Sequence, residues 1–90
     1  MSEKKIILSS LSLDLRRSAQ GYFRGSTKMA DRFLDEAFER KREADLLSIK
    51  PYLKTLLGKM EGIRSEPNLE AKAEQALMLS TLFQNASLNY

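Results

Sequence analysis

From Ser26 to Leu47 the chain has no glycine or proline, and its apolar residues recur at the spacing of an α-helix. Ala30, Phe33, Ala37, Ala44 and Leu47 repeat as a seam, widened by Leu34 and Phe38. That period predicts one helix of about 20 residues, or about 30 Å, and marks this stretch as the element around which the rest is organised. Half of the acidic residues fall within it, and Glu36–Arg40, Lys41–Asp45 and Glu39–Arg42 stand at ion-pair spacing along it. Arg40 and Lys41 interrupt the seam. The lysine stem is expected to lie over Ala37 and Ala44 while its ammonium reaches water.

The punctuation on either side divides the remainder into three more helices. Leu8, Leu11, Leu15, Ala19 and Tyr22 share one face, with Leu13 on the wrong side and Gly21 as a cost of about 1 kcal/mol in the interior. Gly25 reads as the left-handed residue after that helix, with Ser26 or Thr27 capping the next. Ser48 and Pro51 open a third helix, whose Ile49, Tyr52, Leu53, Leu56, Leu57, Met60 and Ile63 give the cleanest amphipathic pattern in the chain. Ser65 or Glu66, followed by Pro67, opens a fourth, with Leu69, Ala73, Ala76 and Leu77 on one side. From Ala76 to Phe83 the fourth helix becomes apolar on nearly every side.

The expected fold is therefore all-α: one domain of 90 residues, a small bundle of about four helices over 11–24, 28–47, 49–62 and 67–85, joined by short turns. Residues 1–9 and 86–90 are expected to be flexible. A hydrophobic content of 42% with 30% charged residues suits a folded chain rather than a disordered one.

Composition narrows the chemistry. The chain has no cysteine and no histidine, so disulfides, thiolate nucleophiles, Cys or His metal ligands and the commonest general base are absent. Its serines lie in no Gly-x-Ser-x-Gly turn, and its four glycines form no phosphate-binding loop. Asp35, Glu36 and Glu39 read as a solvated helix face rather than a metal site. The expectation is a protein that is not an enzyme and uses no cofactor or metal. The apolar run Ile6–Leu8 is too short for a signal peptide, and no segment approaches a membrane span, so a cytoplasmic protein without membrane attachment is expected.

Two surfaces remain as candidates. Met78, Leu79, Leu82 and Phe83 offer more apolar surface than one helix face can bury, which places the fourth helix either centrally in the bundle or at a subunit interface; the second is favoured, as self-association in a homodimer of a small interaction or regulatory module. The rival is nucleic-acid or other acidic-partner contact through Arg16, Arg17 and Arg24 on the first helix and Lys28 after the turn, in a chain of net charge +3.

Overall fold

The computed structural model describes residues 2–90 as four helices: α1 (Glu3–Phe23), α2 (Thr27–Asp45), α3 (Pro51–Ser65) and α4 (Leu69–Leu88). Each runs antiparallel to its neighbours. Gly21 of α1 meets Ala30 of α2, and Arg17 lies over the Phe33 ring. Arg64 of α3 pairs with Asp35 of α2, while Lys54, near the other end of α3, donates to the carbonyls of Ala44 and Asp45. Between α3 and α4, Glu66 accepts from Gln75, and the Lys50 N–H donates to the Tyr90 hydroxyl. Ser12 of α1 donates to the Ser80 carbonyl, and Lys4 lies over the Tyr90 ring. The chain thus goes up, down, up and down, closing with α4 against α1 in a molecule 35 × 21 × 19 Å.

The packing corrects one expectation at its root. The organising element is α1, not α2: it buries ten residues against five in α2, and it packs along both α2 and α4. Its helix also begins at Glu3 rather than near residue 11. Ser2 caps it by accepting from the Lys5 N–H, and Ile7 and Leu8 are buried, so the segment read as a flexible arm is a helical part of the core. Met1 lies outside the described residues. At the other end α4 continues to Leu88 with Ala86 and Ser87 buried, instead of fraying after residue 85.

Serine explains why α1 and α4 fit so closely. Ser12, Ser18, Ser80 and Ser87 are buried, and each hydroxyl donates to a backbone carbonyl, so the small side chains admit a neighbouring helix without leaving a donor unpaired. Leu8, Leu11 and Leu15 then meet Leu53, Leu57, Met60, Ile63, Leu79 and Phe83 in one core.

Both glycines at the α1–α2 hairpin are required by its geometry. Gly25 has φ of +76°, and the Ser26 and Gly25 N–H groups donate to the Gly21 and Tyr22 carbonyls, the paired bonds of a Schellman motif. A Cβ on Gly21 would lie 2.8 Å from the Cβ of Ala30 and 3.0 Å from its Cα, so the residue read as a helix cost is what lets α2 approach. Elsewhere the caps differ from those expected. Lys50 precedes Pro51 in place of Ser48, and Asn68 caps α4 by accepting from the Ala71 N–H, with Pro67 just outside the helix.

Candidate interaction surfaces

Helix α4 is built with two apolar faces. Ala73, Ala76, Leu79, Ser80 and Phe83 form the inner one, and all are buried. Leu79 and Phe83 therefore belong to the protomer's own core and leave the candidate interface, where the sequence had grouped them with Met78 and Leu82. Those two stay outside, Met78 at 54% and Leu82 at 39% exposed. Leu69 and Leu77, expected inside, are exposed as well, because α1 packs against Ala73 and Ser80 and turns the helix accordingly. The hydroxyls hid this from a hydrophobicity pattern. The outer face thus carries Leu77, Met78, Leu82 and Leu88 between Thr81 and Asn85.

A second property of this face is its lack of charge. No Asp, Glu, Lys or Arg occurs after Glu74, so the last 16 residues are uncharged in a chain that is 30% charged. The exposed apolar residues of α1 lack that setting. Ile6, Leu13 and Phe23 are interspersed with Arg16, Arg17 and Arg24.

The basic candidates are brought together at the α1–α2 hairpin. Arg16, Arg17 and Arg24 are exposed on the last turns of α1, and Lys28 is exposed on the first turn of α2. Arg17 is held over the Phe33 ring at 5.5 Å, and the Arg24 Nε donates to the Gln20 carbonyl. A shallow, open depression of about 690 Å³ over the start of α2 is lined by Gly25, Ser26, Thr27, Lys28, Met29 and Arg32. Arg32 is the exposed cation that the sequence reading omitted; it stands one turn beyond Lys28.

The second half of α2 is instead charge-paired. Lys41 reaches Asp45 at 3.0 Å with its stem mostly covered, as expected for a lysine on the seam, and Arg42 reaches Glu39 at 3.0 Å. Arg40 pairs with Glu43 rather than with Glu36. Arg64 stacks 3.7 Å from the centre of the Phe38 ring while pairing with Asp35. Pairs of this kind at the surface are worth roughly 0–1 kcal/mol each.

Two titratable groups are perturbed inside the bundle. Burial lifts the Asp14 carboxyl above its ordinary value and the nearby Glu36 adds to this, while Arg40 and Arg17 oppose it. Burial also raises the Tyr22 phenol, helped by its hydrogen bond to Asp31. Tyr22 packs with Ala30 and Ala73 as a small separate cluster under Lys72, a structural rather than chemical setting. Among the described residues no group of three or more acidic side chains is gathered as a metal site would need, and no helix is long and apolar enough to cross a membrane.

No protein-family model, curated protein or solved structure matches the chain.

Proposed function

We propose that this chain is a small, non-enzymatic interaction module that pairs with itself through the outer face of α4, and that this pairing is how it acts as a regulatory or scaffolding unit. The observation that carries the reading is the combination, on one helix face, of exposed Leu77, Met78, Leu82 and Leu88 with a complete lack of charge beyond Glu74. In a twofold dimer the same patch meets itself, so any net charge on it would be opposed by its own copy. An uncharged apolar face escapes that penalty. The arginine-flanked apolar residues of α1 do not.

Burying Met78 and Leu82 contributes about 1.5–3 kcal/mol per side chain before the costs of association. Two such side chains per protomer support a weak dimer whose population depends on concentration. Sedimentation equilibrium tests this directly. The wild-type chain, 10.3 kDa as a monomer, is expected to approach twice that mass as its concentration rises. Met78→Glu with Leu82→Glu is expected to stay monomeric with unchanged helical content. A wild type that remains monomeric at high concentration overturns the proposal.

A further inference from the structure

The hairpin formed by the end of α1 and the start of α2 concentrates the protein's positive charge. Residues 16–32 hold five Lys/Arg and one acid, a net +4, whereas the whole chain carries +3. The one acid, Asp31, is engaged by the Tyr22 hydroxyl. Arg16, Arg17, Arg24, Lys28 and Arg32 take part in none of the ion pairs found among the described residues, which instead neutralise Arg40, Lys41, Arg42 and Arg64. Acids lie within reach in sequence but are turned elsewhere: Asp35 goes to Arg64, and Glu39 to Arg42.

The two helix ends in the hairpin act in opposite senses: Arg24 sits at the negatively polarised end of α1, whereas Lys28 lies in the positively polarised first turn of α2. The first turn of α2 has no acidic residue, and Ser26 makes no side-chain cap, so Lys28 and Arg32 follow a positively polarised helix end. The positive potential at the hairpin therefore comes from the five cations themselves, since the two opposed helix ends offset each other. The scaffold beneath is stiff: the Gly21–Ala30 approach and the Schellman bonds at Gly25 fix one helix against the other.

We propose that this hairpin is a docking surface for the phosphate backbone of double-stranded nucleic acid. Arg17 and Arg24 are separated by about 10 Å of helical rise and Lys28 and Arg32 by about 6 Å, so the charges form two short rows along a helix pair rather than one focus. Rows of exposed cations match a polymer that presents one charge per strand about every 3.4 Å along its axis. Phe33 is covered by Arg17, which leaves Phe23 as a single exposed ring beside the cations, too few for the run of stacked bases that a single-strand binder holds, so the contact is with backbone and carries no sequence readout. An anionic membrane fits less well. Phe23 and Met29 are exposed, but Arg24, Gly25, Ser26, Thr27 and Lys28 separate them, leaving no continuous apolar face to insert. This surface is independent of the outer face of α4.

The test is fluorescence anisotropy of the full chain with a labelled short DNA duplex and, in parallel, sedimentation with phosphatidylserine vesicles. With about four phosphates engaged, duplex affinity is expected to fall about a hundredfold between about 50 and about 200 mM salt. Arg16→Ala, Arg24→Ala, Lys28→Ala and Arg32→Ala combined should abolish binding at the lower salt, whereas Lys50→Ala with Lys59→Ala on α3 should retain most of it. If the fourfold variant loses its helical signal, Arg16→Gln with Lys28→Gln is used instead and should weaken binding at least fivefold. Absence of duplex binding at low salt, equal loss in the α3 variant, or capture by vesicles without capture by duplex overturns the proposal.

Discussion

Leu82 and Phe83 are neighbours on α4, both large and apolar, yet they belong to different surfaces. Phe83 has no exposed area and contributes to the core beside Leu11, Leu57 and Met60, while Leu82 keeps 39% of its surface open. The two faces of this helix differ little in hydrophobicity. What separates them is which one α1 can approach, and small serines decide that: Ser12 and Ser80 let the two helices close on one side of α4 only. An apolar residue on the other side is left exposed. Burial here follows helix contact before it follows hydrophobicity.

The comparison can be broken most severely at the inner face. Phe83→Ala should cost about 3–5 kcal/mol, a large part of the stability of a domain this size, whereas Leu82→Ser should change the unfolding free energy of dilute protein by no more than about 0.5 kcal/mol. Chemical denaturation of both variants checks the contrast, and equal losses would mean that the outer face is packed after all.

A smaller effect tests whether close approach around α1 defines the inside. Gly21→Ala improves helix propensity but drives a methyl into Ala30, whose backbone atoms cannot yield as a flexible side chain would. The expected result is a net loss of about 1–3 kcal/mol, read as a lower thermal midpoint. A gain in stability would show that the helices can part without penalty.

The smallest expected effect concerns Asp14. Its carboxyl titrates higher in the fold than its ordinary value of 3.8, chiefly through burial. The folded state therefore holds the proton more tightly than the unfolded chain, and the penalty for the charged form builds as pH rises from the ordinary value to the raised one and is constant above it. Asp14→Asn is expected to raise the thermal midpoint at pH 7, with the advantage shrinking as pH falls through the raised value and gone below the ordinary value of 3.8. An advantage that persists in acid would place its origin outside the charge.

Much of the fold was legible because its helices are punctuated and periodic. Leu8, Leu11, Leu15, Ala19 and Tyr22 are each buried, Gly25 has the left-handed turn conformation, and Leu53, Leu57, Met60 and Ile63 line the core. Errors gathered where polarity and position disagree. Buried serines were not counted toward any face, so the apolar side of α4 was drawn around Leu69 and Leu77, which are exposed. Tyr52 fits the α3 pattern yet stands 51% exposed in the helix's first turn. Residues 1–9 read as a flexible arm because lysines and serines mask a helical stripe that buries Ile7 and Leu8. At the surfaces, Met78 and Leu82 were legible as surplus apolar residues, whereas their separation from Leu79 and Phe83 needed the orientation that α1 imposes. The clustering of Arg16, Arg17, Arg24 and Lys28 followed from the short turn, and Arg32 was missed because acids surround it in sequence but not in pairing.

The proposal that α4 has an outer pairing face opposite its inner core face is tested most directly by amide chemical shifts recorded over a dilution series of the wild-type chain. Shifts at Leu77, Met78, Thr81, Leu82, Asn85 and Leu88 are expected to move with concentration, while those of Ile6, Leu13, Arg24 and Lys28 stay fixed. Shifts that do not depend on concentration, or that move on α1 instead, would contradict the account.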